Sequence, residues 1–488
     1  MTLLGLRPDL YRENAFRITG LPVRATTRDI RRQTEKMRLM ERLGRSGASE
    51  GILPPARPPD EDTRQRAAQR LKDPVSRLVD ELFWLWPMPD GEVDDAMTAL
   101  LKGEPHDALR VWERTTKQPA RTVAVHNIAV LSHVWALDTD SLDTDAIRLW
   151  TRAYKCWGEV IADDSFWELM RVRANELDDP RLTAGVVRRM REDLPAALLA
   201  INAQLAVAAA HDGRLKDSRG HITGMRASGF STGLVDEALH GAVGHETSRI
   251  KTLCKNVGQA VRATPERGDE LAEQFLDEAK SLLSVVASVL PDDHRGVREA
   301  GDDMALTVLG CVVAYVNTAK DYRRSLDLLQ HALTLADSES VRDRVQENVD
   351  IISDNLSYAC CFFCGQDADE PCALHLPMHG DVNRATDYYQ TRITWRTITV
   401  QVPRCRRCRR KRGWRIACGA LIGPLAAVAV AAFLMDAVGL GAVLTVIGFF
   451  VASRLIAGPR RDPTEFGPVT ELYALGWRPG NRPPEAGR

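Results

Sequence analysis

Two pairs of cysteines in this chain have a spacing typical of metal centres. Cys361 and Cys364 stand in the text CFFCG, and Cys405 and Cys408 stand in PRCRRC. A Cys-x-x-Cys turn directs two thiolates at one point, and two such turns supply the four sulfur ligands that tetrahedral zinc prefers. The sequence therefore predicts that these four cysteines bind one Zn²⁺. Because four thiolates leave no coordination position open, we expect the metal to be structural rather than catalytic.

Other donors in the same region leave alternatives open. Seven of the ten cysteines lie between Cys360 and Cys418, which favours metal ligation over disulfides in a reducing compartment. Possible substitute ligands are Cys360, Cys372, His375 and His379, but they lack paired spacing with one another. If no metal is bound, the cysteines are either reduced structural thiols or a redox pair.

The text between the two cysteine pairs predicts the element that brings them together. TRITWRTITVQVPR alternates like a strand, ALHLPMHG is its expected hairpin partner, and DVNRATDYY is expected to form a loop between them. The whole resembles a zinc ribbon, in which a hairpin holds two cysteine knuckles side by side.

The second cysteine pair lies inside a basic run, Arg404–Arg415, that leads into apolar text. Ile416–Met435 and Ala437–Ala457 are each long enough to span a bilayer, so we predict a transmembrane hairpin. Both flanks are basic, which places them on the cytoplasmic side. Of three roles for the basic run, anionic lipid binding and membrane orientation are favoured over nucleic-acid binding. A single broken helix buried in a soluble core is the alternative to the hairpin.

The start of the chain resembles a J-domain. The phrase NAFRITGLPVRATTRDIRR matches the family's opening at Phe16, Ile18, Gly20, Leu21, Ala25, Thr26, Asp29 and Ile30. The phrase AAQRLKDPVSR matches its third helix at Ala68, Leu71, Asp73, Pro74 and Arg77. Where the family carries His-Pro-Asp, an ungapped alignment places Arg42, Leu43 and Gly44. The resemblance therefore implies a helical interaction module without the tripeptide that stimulates the heat-shock ATPase.

The text from about residue 89 to residue 355 predicts helices packed on helices. DAMTALLKGEPHDALRVWERTT reads as two helices joined by a short turn. A second such unit resembles a tetratricopeptide repeat, with Tyr315, Tyr322, Ser325 and Ala332 at matching places. Such arrays bind protein partners on a concave surface, although a plain scaffold without a groove is equally compatible with the text.

Catalytic motifs are not evident in the sequence. His240 and His245 are five residues apart and Glu246 follows the second, whereas a metalloprotease helix needs histidines four apart with the glutamate beside the first. His211 with Asp212 is read as a surface or capping pair. The formal net charge of −1 gives no general attraction to nucleic acid. No secretory signal opens the sequence, so we expect the soluble parts in the cytoplasm.

These observations combine into one expected organisation. The fold class is mainly α, with a J-like module (1–88), a helical array (89–355), a zinc-ribbon-like module (356–414), two transmembrane helices (415–458) and a tail (459–488). The expected function is a non-enzymatic, membrane-anchored scaffold or chaperone-like adaptor at the cell membrane. An active co-chaperone using an atypical surface, or a hydrolase within the helical region, are the alternatives.

Overall fold

The computed structural model describes residues 3–42, 51–55, 58–89, 94–139, 141–291, 293–387, 390–411 and 461–484. These residues are predominantly helical, as the sequence predicts, and they contain one small three-stranded sheet. They divide into two compact units. The first unit comprises Met1–Asn256 and Gln274–Met304, and the second comprises Val257–Glu273 and Ala305–Arg488.

Helices account for most of the described chain. In order they are α1 (Ala15–Thr19), α2 (Thr27–Arg42), α3 (Glu61–Lys72), α4 (Pro74–Leu82), α5 (Asp95–Leu101), α6 (Pro105–Arg114), α7 (Ala120–Asp138), α8 (Thr144–Ala162), α9 (Asp164–Glu176), α10 (Ala184–His211), α11 (Leu215–Arg226), α12 (Thr232–Ala242), α13 (Gly244–Ala263), α14 (Gly268–Val289), α15 (Arg295–Ala319), α16 (Tyr322–Leu335), α17 (Glu339–Ala359) and α18 (Gly467–Ala474). The strands are β1 (Leu374–Asp387), β2 (Gln390–Val402) and β3 (Arg478–Pro479).

The first helices begin and end where their capping residues predict. Gly20 ends α1 in the left-handed region at φ 68°, which costs glycine little. Thr26 and Asp29 form a reciprocal capping box at the start of α2: the Asp29 carboxylate accepts from the Thr26 N–H at 2.8 Å, and Thr26 Oγ1 accepts from the Asp29 N–H at 3.3 Å. The break expected at Asp73 separates α3 from α4, and its carboxylate accepts from the Ser76 N–H at 3.0 Å. Leu43 and Gly44 lie outside the described residues.

Two cores hold these helices in place. A small core joins α1, α2 and α3 through Ala15, Phe16, Ile18, Val23, Ile30, Ala67, Leu71 and Trp84. A large core begins on the other side of α4, where Leu78, Leu82 and Phe83 pack with residues of α7, α8 and α10. The helices before and after residue 88 therefore share one apolar interior within the first unit.

A buried ionic cluster reinforces this contact. Glu81 on α4 has no exposed side-chain surface and lies between two arginines. Its carboxylate accepts from Arg77 Nε at 2.8 Å and from Arg173 Nε at 2.7 Å. Arg77 Nη2 also donates to the carbonyl oxygens of Val23 and Ala25. A buried carboxylate is tolerated because both of its oxygens have charged donors.

One helix of the described residues is long and apolar enough to cross a membrane by length and composition alone. It is α10, and 61% of its most apolar stretch is buried inside the protein. Leu194, Leu198 and Ile201 face the large core of the first unit. A core helix passes the same test, so we read α10 as internal. The two predicted spans, Ile416–Met435 and Ala437–Ala457, lie outside the described residues.

The predicted pairs of helices are present. α5 and α6 are joined by a short turn in the first unit. α15 is followed by α16 after a turn at Lys320, whose φ is 57°. Ala332, expected on the second helix of that pair, and Ser325, expected around the turn, both lie on α16 and are fully buried.

The sheet belongs to the second unit and is larger than predicted. β1 and β2 are antiparallel, with Leu374 opposite Val402 at the cysteine end. The expected loop at DVNRATDYY is wrong, because β1 continues through most of it after a bulge that begins at Gly380. The third strand, β3, comes from the tail after residue 460 and pairs with the outer edge of β1.

Candidate metal centre

The first cysteine turn follows directly after α17. The Cys361 carbonyl accepts from the backbone N–H groups of Cys364 at 3.2 Å and of Gly365 at 2.8 Å, and the Cys361 N–H donates to the Gln366 carbonyl at 2.6 Å. Gly365 has φ 71°, a region that residues with a β-carbon rarely adopt. This backbone folds into a tight knuckle that points both sulfurs to one side.

The second cysteine turn follows β2. The backbone N–H of Cys408 donates to Cys405 Sγ at 3.4 Å, and the Arg409 N–H donates to the Cys405 carbonyl at 3.0 Å. Residues 406–411 continue as a helix. An N–H directed at sulfur favours the thiolate, which is the form that binds metal.

Backbone hydrogen bonds join the two turns. The Phe362 N–H donates to the Pro403 carbonyl at 3.0 Å, and the Asp369 N–H donates to the Arg404 carbonyl at 3.2 Å. The β1–β2 register brings the same ends of the chain together. The hairpin therefore fixes the relative position of two cysteine pairs that are about forty residues apart in sequence.

The four sulfurs have the separation of metal ligands. All four Sγ atoms lie within 4.8 Å of one another, and Cys364 Sγ is 3.6 Å from Cys405 Sγ. A disulfide would require about 2.05 Å. A tetrahedron of sulfurs around zinc, with bonds of about 2.3 Å, has edges of about 3.8 Å. The donor set and its spacing thus fit a zinc-binding module.

The electrostatics of the cluster favour a cation. Burial by itself raises the pKa of the Cys405 thiol, but the Cys408 backbone N–H and the neighbouring sulfurs favour its thiolate and lower the pKa to about 7. The pKa of Cys408 is raised, by burial and by its neighbours, because a second anion beside the first is unfavourable. A divalent cation would remove this repulsion and allow all four groups to ionise.

The other candidate donors named from the sequence are Cys360, Cys372, His375 and His379, and they lie outside the sulfur cluster. Cys360 Sγ accepts from Arg323 Nη2 at 3.3 Å. His379 is buried and its Nδ1 lies 3.1 Å from the Gly480 carbonyl oxygen of the tail. Cys360 and His379 therefore contact neighbouring parts of the chain, and the four paired cysteines are the metal ligands that the structure supports.

The tail completes the module, a role that sequence reasoning missed. Phe466 and Val469 of the tail are buried with Met378 and Val402 of the hairpin. The Trp477 ring lies directly on Gly380. The only sequence signal is the apolar spacing of Phe466 and Val469, which does not identify the surface they cover.

The basic run divides into two groups. Arg404, Arg406 and Arg409 reach back to the module: Arg404 Nε donates to the Cys372 carbonyl at 2.8 Å, Arg409 Nη1 to the Pro371 carbonyl at 2.9 Å, and Arg406 pairs with Asp369. The second group, Arg407, Arg410 and Lys411, is exposed and makes no ion pair with a carboxylate of the described residues. Arg412 and Arg415 lie outside them.

Comparison of the chain with protein-family models, with curated proteins and with solved structures gives no match. Neither the J-like opening nor the repeat-like helices are therefore assigned to a family. The chemistry of the cysteine module is argued from its own geometry.

Proposed function

We propose that the protein is a non-enzymatic, membrane-anchored scaffold whose cysteine module binds structural zinc and holds both ends of a membrane segment. One observation carries the proposal. The chain leaves the cysteine module at residue 411 and is again part of the same module from residue 461. The sequence between these points contains the two apolar stretches 416–435 and 437–457.

The contacts on either side of this segment are close to the cysteines. Before it, Arg409 bonds to Pro371. After it, Arg461 Nη1 donates to the Phe362 carbonyl at 3.3 Å, and the Arg461 guanidinium lies 5.7 Å from the centre of the Phe362 ring. A segment with both ends on one folded module must cross a bilayer an even number of times. Two stretches of about 20 apolar residues fit two crossings.

Zinc has a mechanical role in this proposal. When bound, the ion would be held by Cys361, Cys364, Cys405 and Cys408, and it would link the chain that ends α17 to the chain that enters the membrane. Four sulfur ligands leave no position for a substrate. With zinc bound, the module would hold the end of α17 firmly to the start of the membrane segment.

The exposed basic residues at the end of the module favour an anionic leaflet. Arg407, Arg410 and Lys411 stand just before the apolar segment and have no described carboxylate partner. Each basic residue close to such a surface contributes about 1 kcal/mol. By the positive-inside rule, the same charges favour the cytoplasmic side of the cell membrane for the module, and an even number of crossings puts both termini on that side in this proposal. Nucleic acid is not a proposed partner.

The helical part is proposed to bind protein partners. Phe16, Ile18, Ile30 and Leu71, which carry the J-domain resemblance, pack together in one small core, and this supports a J-like helical module. Its fixed contact with α7, α8 and α10 favours a scaffold over a mobile domain. Stimulated ATP turnover by a partner heat-shock chaperone would instead support the co-chaperone alternative.

A topology experiment tests the anchor. Reporters fused before Met1 and after Arg488 should both read cytoplasm, and replacing residues 416–457 by a short Gly-Ser linker should release the chain from membranes with its zinc retained. Replacing the apolar stretch of α10 is not informative because that helix is internal. As a matched control, replacing only 437–457 should move the C-terminal reporter across the membrane. Opposite locations of the two wild-type termini would refute the even number of crossings.

A further inference from the structure

The four cysteines of the metal centre differ in how far solvent reaches them. Cys361 and Cys405 are buried, Cys408 is half-buried, and Cys364 is exposed. Among the cysteines that the structure describes, Cys364 is the most exposed to solvent. The shell around a metal centre controls which molecules reach its ligands. The exposure of Cys364 therefore gives small reagents in solution access to one sulfur of the cluster.

A partner sulfur for Cys364 lies on the other cysteine turn. Cys364 Sγ is 3.6 Å from Cys405 Sγ. The backbone holds the two turns side by side, because the Phe362 N–H donates to the Pro403 carbonyl at 3.0 Å. A disulfide requires the two sulfurs to approach to about 2.05 Å, and rotation of a cysteine side chain moves its sulfur by more than this difference. Cys364 and Cys405 are thus placed to form a bond that joins the two turns.

Positive charge lies on both sides of Cys364 along the chain. Arg323 Nη2 donates to the Gly365 carbonyl at 2.6 Å, and Arg461 Nη1 donates to the Phe362 carbonyl at 3.3 Å. When a sulfur attacks an oxidant such as hydrogen peroxide, negative charge develops on the oxygen that leaves. Fixed positive groups beside the reacting atom stabilise that charge.

We propose that Cys364 and Cys405 form a redox switch, in which hydrogen peroxide joins them by a disulfide and the module releases its zinc. The proposal rests on the structural zinc of the proposed function. The Cys364 sulfur attacks one peroxide oxygen, the O–O bond breaks, and a sulfenic acid and a hydroxide form. The Cys405 sulfur then displaces a second hydroxide from the sulfenic acid, and the disulfide forms. Two thiolates lose two electrons in total, the peroxide gains them, and two protons convert both hydroxides to water.

The disulfide would replace zinc as the link between the two turns. Cys364 follows α17 and Cys405 precedes the apolar segment, so the new bond joins the same two parts of the chain. Cys361 and Cys408 then supply only half of a tetrahedral ligand set, which is why the module loses its zinc. A disulfide within one turn would leave the turns unconnected. In a reducing compartment the bond is transient, and thiol reductants restore the zinc-binding form.

Mapping of the disulfide in the full-length chain tests which sulfurs react. The chain is purified in detergent, loaded with zinc and treated with hydrogen peroxide, and the remaining thiols are blocked by alkylation. Chymotrypsin cleaves between the two cysteines of the first turn, after phenylalanine, and trypsin cleaves between those of the second, after arginine. Mass spectrometry should show a cross-link between Cys364 and Cys405, and a chromogenic chelator should detect the release of one zinc per chain. Cross-links confined to the pairs within each turn would overturn the proposal.

Two variants with the same donor set separate the exposed sulfur from the others. Cys364→His and Cys408→His each keep three thiolates and gain one imidazole, a set that also holds structural zinc. Cys408→His retains both reacting sulfurs and should release zinc under peroxide as the wild type does, whereas Cys364→His should release it several-fold more slowly. Cys372→Ser changes a buried cysteine outside the cluster and should behave as the wild type. Equal release rates in the two histidine variants would contradict the switch.

The zinc content before peroxide is added reports on the proposed function separately. A chain without zinc would refute the structural metal centre, and mapping of the Cys364–Cys405 cross-link in the metal-free chain would still decide the redox proposal. A wild-type chain that holds zinc but forms no such cross-link would refute the redox switch alone. The same mapping in the wild type decides the proposal if a histidine variant fails to bind zinc. Addition of dithiothreitol and zinc to the oxidised wild type should restore its original zinc content.

Discussion

The sulfur atoms of the cysteine module depend on one another for their charge state. Cys405 has a pKa lowered to about 7, yet Cys408 beside it has its pKa raised. Neighbouring thiolates repel one another, so all four cysteines can be ionised together only when a cation lies between them. Metal binding and the local fold of the module are therefore expected to be one event.

Substitution of single cysteines tests this coupling. In the full chain, Cys405→Ser should remove one zinc per chain and make β2 accessible to protease, because the hairpin end loses its fixed link to the first turn. Cys360→Ser is the matched control, since Cys360 Sγ contacts Arg323 and stands outside the cluster. Zinc content and limited proteolysis are the measurements. Full zinc content in Cys405→Ser would contradict the assignment.

The buried carboxylate of Glu81 and the arginines beside it also depend on one another for stability. Glu81 is fully buried between Arg77 and Arg173, so removing its charge leaves Arg77 without its carboxylate partner and Arg173 with only the exposed Glu176. Glu81→Gln should lower the free energy of unfolding by about 3–5 kcal/mol. Glu176→Gln removes the exposed partner of the same Arg173 and should cost less than about 1 kcal/mol. Chemical denaturation measures the free energy of unfolding of both variants. A similar decrease in Glu81→Gln and Glu176→Gln would show that burial of Glu81 is unimportant.

The sequence identified residues only where their spacing along the chain carries the chemistry. Two residues between paired cysteines define a turn, so the four cysteines could be named in advance. His211 and Glu246 could not be paired, because their proximity depends on where α10 ends relative to α13. The pairing of Glu81 with Arg173 was missed for the same reason, since the two residues are about ninety positions apart.

At the scale of elements, the hairpin was predictable and its third strand was not. The alternation in TRITWRTITVQV indicates β2, and a short partner was expected before it. β3 has only two residues, and its position depends on contacts of Trp477 and Gly480 with β1. A turn ends α18 just before it: Gly476 has φ 90°, and the Trp477 N–H donates to the Leu472 carbonyl at 2.9 Å.

The contact between Gly380 and Trp477 gives an element-scale prediction. A β-carbon at position 380 would lie 2.6 Å from Cε2 and 2.7 Å from Cγ of the indole ring, so the ring must move. Gly380→Val should detach the tail from β1, with a red-shifted tryptophan emission and faster proteolysis of residues 476–484. Gly467→Ala has open space around it and should leave both unchanged. An intact tail in Gly380→Val would mean that the ring contact does not hold β3.

At the scale of the whole molecule, composition and periodicity correctly indicated a mainly helical protein. They also indicated short helical pairs such as α5–α6 and α15–α16, because local turn residues separate the helices. They did not indicate that α10 is an internal helix with the hydropathy of a membrane span. Hydropathy measures only the apolar character of a segment, whereas the choice between lipid and protein surroundings depends on which other helices can cover it.

The large core of the first unit also contains neutral histidines, which make its stability depend on pH. Burial lowers the pKa of His126 to about 4 and that of His133 to about 3. His126 Nε2 lies 2.7 Å from the Leu82 carbonyl oxygen, and aromatic rings surround the imidazole. In the unfolded chain these histidines bind protons near pH 6.5. As the pH falls from 6.5 toward 4, the unfolded state gains protons that the folded state does not, so the unit loses stability in that window.

A variant isolates the contribution of His126 from other titrating groups. Asp80, whose pKa burial raises to about 6, titrates in the same range, but it is present in both chains and cancels from their difference. At pH 7, His126→Gln should have a lower free energy of unfolding than the wild type. At pH 4 this difference should be smaller by roughly 3 kcal/mol, because only the wild type is destabilised by a buried imidazole that resists protonation. His106→Gln, which removes an exposed histidine, is the control for the loss of a histidine outside the core. Denaturant unfolding at several pH values measures these differences, and a constant deficit for His126→Gln would mean that water or another charge stabilises protonated His126 in the folded protein.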